Sequence, residues 1–240
     1  MKTLLVSSLI FFLTACAGPV KQMYTLPEGL GEIVTTTPLA CRFDKQMADG
    51  ISPQNSSWYF WREAQRTETR DERSNQGEVW ERNHAGQLFY TRLFYNERVA
   101  LEFVPGDLAA TGATTSWAQL SSIIDPNILG KELPLLSKET SGKTVVEYYS
   151  GTVKGVATEV DWLPALQLPA RIVKQLPEGA VTLVLAECGK GSKFAMTPIT
   201  KTELDKFRHL DYTDLGDMEE DPMVQHLEQL MGGGHHHDGH

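Results

Sequence analysis

The chain is short of cysteine, with three in 240 residues, and short of positive charge, with 22 Lys and Arg against 31 Asp and Glu for a formal net charge of −9. Phosphate-backbone binding needs clustered basic side chains that displace counterions, so this balance argues against a nucleic-acid partner. Long apolar runs are missing too. The most apolar stretch, Leu4 to Leu13, is stopped by Thr14, Gly18 and Pro19 well below the ~20 residues that a membrane helix requires. No Gly-x-Ser-x-Gly, His-Glu-x-x-His or Cys-x-x-Cys motif occurs. Ser141-Gly142-Lys143-Thr144 looks like the end of a phosphate-binding loop, but Ser137 stands where the leading Gly is required. Asp211, Asp214 and Asp217 recur at intervals of three, which is not the alternate spacing of a calcium loop. His84, His209 and His226 have no evident catalytic partner, and the chain is read as non-enzymatic.

The beginning of the chain is more informative. Only Lys2 is charged before the apolar stretch, and small residues follow it, the order of a secretory signal. Leu13-Thr14-Ala15-Cys16 resembles the lipobox of bacterial lipoproteins. That resemblance implies cleavage behind Ala15, so that 1–15 is a signal peptide, and a diacylglycerol on Cys16, which becomes the mature N-terminus. Acyl chains on one residue anchor a protein to a membrane without spanning it. By the family's sorting rule, Ala17 after the cysteine implies the periplasmic face of the outer membrane.

With Cys16 consumed, Cys41 and Cys188 remain, an even number in an oxidising compartment, and they are expected to pair. The alternative is two separate buried thiols.

Residues 16–40 are rich in Gly, Pro and Thr and read as a lipidated tether. From 41 to 200 the pattern is that of an antiparallel β domain. Trp58 to Arg70, Gly77 to Arg82, Gln87 to Phe94, Arg98 to Val104, Thr144 to Tyr149, Thr152 to Trp162, Leu168 to Gln175 and Ala180 to Glu187 read as strands. Asn83-His84-Ala85-Gly86, Ser150-Gly151 and Pro177-Glu178-Gly179 are among the turns between them. Trp117, Leu120, Ile123 and Ile124 share one face of a single amphipathic helix, with Thr115 or Ser116 as N-cap and Pro126 as its end. Residues 201–231 read as an acidic helical extension: Thr202 to His209 is helical, and a second helix starts at Asp221-Pro222. From Lys201 onward ten acidic residues face three basic ones.

Strands around one covering helix, together with Trp162-Leu163-Pro164, Leu168-Pro169-Ala170-Arg171-Ile172 and Pro177-Glu178-Gly179-Ala180-Val181-Thr182-Leu183, resemble the periplasmic lipoprotein carriers LolA and LolB. The resemblance implies a curved antiparallel sheet, an incomplete barrel around an apolar cavity that holds acyl chains. The concave face of such a sheet must be filled by side chains or by a ligand. Its candidate residues are Trp58, Phe60, Trp80, Phe89, Leu101, Phe103, Val160 and Trp162 on strands, with Trp117, Leu120 and Ile124 on the helix. The same residues would equally serve as a dry core.

The flexible tail 232–240 ends in His235, His236, His237, Asp238 and His240, imidazoles and a carboxylate that suit Zn, Cu or Ni. No cofactor is required by any other feature. Three functions follow: a lipid or lipoprotein binder, a divalent-metal handling protein working through its tail, or a structural lipoprotein that docks an envelope protein complex.

Overall fold

In the computed structural model, residues 25–28, 30, 38–48, 53–112, 114–190 and 194–231 are described. Cys16, the signal peptide and the His-rich tail lie outside them.

Twelve strands form one open sheet: β1 (Leu39–Ala48), β2 (Pro53–Arg62), β3 (Arg66–Asp71), β4 (Gln76–Arg82), β5 (Leu88–Phe94), β6 (Val99–Phe103), β7 (Leu135–Ser141), β8 (Thr144–Val153), β9 (Val156–Leu163), β10 (Leu168–Leu176), β11 (Gly179–Gly189) and β12 (Arg208–Asp211). Their order is β12-β6-β5-β4-β3-β2-β1-β11-β10-β9-β8-β7, so the curved sheet is two meanders, β1 to β6 and β7 to β11, joined at β1 and β11, and its end strands, β12 and β7, do not pair. Neighbours are antiparallel except β12, which runs parallel to β6. The protein is therefore mainly β, as the strand pattern implies. Among the described residues four short α-helices accompany it: α1 (Pro105–Ala110), α2 (Trp117–Ser122), α3 (Lys201–Leu204) and α4 (Pro222–Leu230). No helix among the described residues is long and apolar enough to cross a membrane.

The disulfide between Cys41 and Cys188 joins β1 to β11 where the two residues face each other in register. It lies in the largest apolar cluster, with Phe43, Phe60, Leu168 and Leu185. Leu26 and Leu30 also pack there, so part of the stretch read as a tether belongs to the core.

Several local expectations are corrected. Trp58 to Arg70 is not one strand but the β2–β3 hairpin, closed by Glu63 N–H donating to the Arg66 carbonyl at 2.7 Å. The turn Glu63-Ala64-Gln65 contains no Gly, Pro or Asn to announce it. Ser150-Gly151 is not a turn but lies inside β8, and the chain reverses at Lys154-Gly155, both at positive φ (49° and 83°). Gly151 is needed for a different reason: a Cβ there would meet the Glu132 carbonyl oxygen at 2.5 Å. The expected single helix after Asp107 is instead α1, α2 and a 3₁₀ turn at Pro126–Ile128. Ser116 caps α2, its hydroxyl accepting from Gln119 N–H at 3.1 Å. The expected helix at Thr202 to His209 stops at Leu204, and Arg208–Asp211 becomes β12.

Register divides the sheet into two faces. One face is packed at both ends. Val224 and Leu227 of α4 cover Phe94, Val99 and Leu101 at one end. Ile124 and Leu133 cover Val160, Trp162 and Ile172 at the other. On the back face, Phe194 and Met196 lie on Tyr59 and Trp61, and Ile199, Leu204 and Phe207 lie on Val79, Leu93 and Ala100. The segment after β11 thus crosses the back of the sheet as a strap before β12 joins its edge.

Candidate functional site

Between the two packed ends of the front face, β2 to β5 and α2 enclose an open groove of about 330 Å³. Ligand pockets commonly run from about 300 Å³ upward. Its aromatic lining comes from Trp58 and Phe60 of β2 on one side and Trp80 of β4 on the other, with Leu120 and Ile123 overhead. Trp58 stacks on Phe60 at 6.2 Å between ring centroids, and Trp80 stacks on Tyr90 at 4.3 Å. The floor between them is polar. Thr67, Thr69 and Asp71 of β3 oppose Trp80, Glu78 and Gln76 of β4, and Glu78 opposes Arg92 of β5.

The charges on this floor are nearly balanced. Burial pushes the Asp71 carboxyl up, but the Lys45 ammonium at 2.6 Å and the N–H groups of Ser74 and Arg73 outweigh it and hold the group below the usual carboxylate range. Arg92 donates to Gln76 Oε1 at 3.1 Å. Trp80 Nε1 donates to Glu78 Oε2 at 3.4 Å. Neither Arg92 nor Glu78 enters an ion pair among the described residues. Burial, with Glu78 beside it, raises the Tyr90 hydroxyl far above its ordinary range, so this group stays protonated.

The roof is held by one buried cation. Arg62 Nη1 donates to the Ser121 carbonyl of α2 at 2.6 Å, and Nη2 to the Leu166 carbonyl at 2.8 Å. Burial lowers its pKa to about 10, still far above neutral, so the guanidinium keeps its charge. Beyond α2, Ile123 sits at φ 67°, an unusual conformation for a β-branched side chain, with its side chain over the groove.

Of the eleven residues proposed for the cavity, Trp58, Phe60, Trp80 and Leu120 line this groove. Leu101 and Phe103 pack beneath α4, and Val160, Trp162 and Ile124 form the cluster at the far end. Phe89 opposes Glu81 on the back face and is 36% exposed. Trp117 stands outside the groove with the Arg82 guanidinium 4.7 Å over its ring. The polar floor was not among the candidates. Its sequence signal is the placing of polar residues, Thr67, Thr69 and Asp71 in β3 and Gln76 and Glu78 in β4, at every second position.

Among the described residues no histidine lines the groove, and no group of three or more His, Cys, Asp or Glu side chains could hold a metal. His209 pairs with Glu102 at 2.7 Å and His226 with Glu97 at 3.4 Å, both away from the groove. His235, His236, His237, Asp238 and His240 lie outside the described residues.

Comparison with known proteins adds partial likenesses. No family model matches the chain, nor does any curated protein sequence. Among solved structures, PNGF-II aligns at 13% identity and a TM-score of 0.43, covering 76% of this chain and 33% of that one. A chain of the Pseudomonas aeruginosa MucA/MucB complex aligns at 13% identity and 0.37, covering 70% and 54%. A domain described as an outer membrane lipoprotein-sorting protein, from Vibrio parahaemolyticus, aligns at 9% identity and 0.33, covering 72% and 92%. This chain therefore spans about a third of PNGF-II and about half of the MucA/MucB chain.

Proposed function

We propose that this protein is an envelope lipoprotein, held at the periplasmic face of the outer membrane through Cys16, that binds a ligand without chemically changing it. The binding site is the groove between β2–β5 and α2. One observation carries this reading: both ends of the front face are filled by the protein's own side chains, while between them the half-buried rings of Trp58 and Trp80 border a groove that no side chain fills. A half-barrel made only to be stable would fill that space as well.

A lipid or lipoprotein acyl chain is the occupant that the sequence suggests, and the aromatic lining of the groove supports an apolar contact. The polar floor adds a condition. Covering Thr69, Glu78 and Arg92 with hydrocarbon removes their water without replacement, at a cost of about 1–3 kcal/mol for the hydroxyl and more for each charged group. The ligand must therefore carry both apolar surface and hydrogen-bonding groups.

The test is recovery of ligand from the native envelope. Protein extracted in mild detergent is compared by native mass spectrometry with a Thr69→Trp variant, whose indole fills the floor and suits a strand. The wild type carries an added mass that the variant lacks. Equal occupancy in both, or none in either, contradicts the proposal.

A further inference from the structure

Resting on the reading that the groove holds a ligand, we infer that the ligand's recognised part is a carbohydrate ring. Charge sets the first condition. Glu78 and Arg92 are register neighbours of opposite sign, and Asp71 is already neutralised by Lys45 at 2.6 Å. An anionic ligand meets Glu78, and a cationic one meets Arg92, so the site favours a neutral guest.

Hydrogen bonding narrows the class. The floor offers donors and acceptors side by side: the Thr69 hydroxyl, the Glu78 carboxylate and the Arg92 guanidinium, which donates to Gln76 Oε1 at 3.1 Å. A vicinal diol both donates and accepts along one edge, as this set requires. Charged planar groups also make the stronger hydrogen bonds.

Shape supplies the third constraint. Trp58 on β2 and Trp80 on β4 flank the polar β3 floor from opposite sides of the same groove, each with another ring stacked against it that fixes its plane. Indole faces carry negative charge density and attract the slightly positive C–H groups on the flat side of a sugar. An alkyl chain would use the indoles and waste the floor, whereas a small polar solute would use the floor and waste the indoles. A pyranose ring uses both.

The experiment is calorimetry on the full chain in a polyoxyethylene detergent, which carries no sugar. The probes are a panel of neutral, N-acetylated and uronic trisaccharides, with 1-octanol as a neutral alkyl probe without a sugar. The inference expects saturable binding of at least one trisaccharide, weakened roughly tenfold by Glu78→Gln, the loss expected for one charge-assisted hydrogen bond. Glu187→Gln on the back face leaves that affinity unchanged. Octanol binding, with no trisaccharide bound at about 10 mM, overturns the carbohydrate class and keeps the groove as a binding site. If neither probe binds, both the inference and the reading beneath it fail. Sugar binding that Glu78→Gln does not weaken overturns the assignment to this floor.

Discussion

Glu68→Gln tests how the strap is held to the back of the sheet. Glu68 is 1% exposed on β3 and accepts the Ile199 N–H at 2.8 Å, one Arg66 N–H at 2.7 Å and the Tyr95 hydroxyl at 3.3 Å. Burial is the largest influence and pushes its pKa from about 4.5 to about 7, although these partners and the Arg66 charge pull it down. Between those two values the folded protein binds a proton that the unfolded chain has lost. Stability therefore falls as pH rises from about 4.5 to about 7 and levels off above. At about 1.4 kcal/mol for each tenfold change, the gap amounts to about 3 kcal/mol. A glutamine cannot titrate, so in the variant this component of the slope is absent. Urea unfolding of both proteins across the interval reads the difference, which should grow steadily in favour of the variant as pH rises. Parallel curves would refute the argument that burial dominates at Glu68.

Four further outcomes are expected. Reducing Cys41–Cys188, which closes a separation of 147 positions, lowers stability by up to about 5 kcal/mol on chain-entropy grounds, measured by urea unfolding with and without reductant. Gly151→Ala forces a methyl against the Glu132 carbonyl at 2.5 Å and lowers the melting temperature, with a cost of about 1–3 kcal/mol. Arg62→Met leaves the Ser121 and Leu166 carbonyls without this donor and costs about 3 kcal/mol. Hydrogen exchange should then accelerate in α2 before it does in β1 or β11. Cys16→Ser moves the protein from the membrane fraction to the soluble one, and intact-mass analysis of the parent shows acyl groups that the variant lacks.

Much of the sheet was legible because aromatic and β-branched residues alternate between clear turn signals. Asn83 to Gly86 and Pro177 to Gly179 are turns of that kind, and the strands beside them start and stop close to expectation. The failures have physical causes. Gly151 looks like a turn residue, but it marks the close passage of Glu132 rather than a reversal. Asp44, Lys45 and Gln46 interrupt the apolar pattern of β1, and the seven residues of β7 are all exposed at the sheet's edge, so neither strand shows a buried period. β12 is four residues long and is fixed by pairing with β6, more than a hundred residues away in sequence, which no local window contains.

The candidate site was legible in part for a related reason. Aromatic residues on strands mark either core or ligand surface, and sequence cannot say which ones a later segment will cover. Leu101 and Phe103 are covered by α4, and Trp162 by the connection through Ile124 and Leu133. Trp58 and Trp80 remain half-buried because α2 has only six residues and stands over one side of the groove, whereas Phe60 is covered by the core around the disulfide. The polar floor escaped because alternating Thr and charged residues look like a solvated face until register places them beneath a helix.

The most direct measurement of the central claim is indole N–H NMR of the five tryptophans during titration with the ligand recovered from the envelope. Occupation of the groove predicts saturating shifts at Trp58 and Trp80, with Trp61 on the back face unmoved. Saturable binding that shifts Trp61 and leaves Trp58 and Trp80 unchanged would contradict the account.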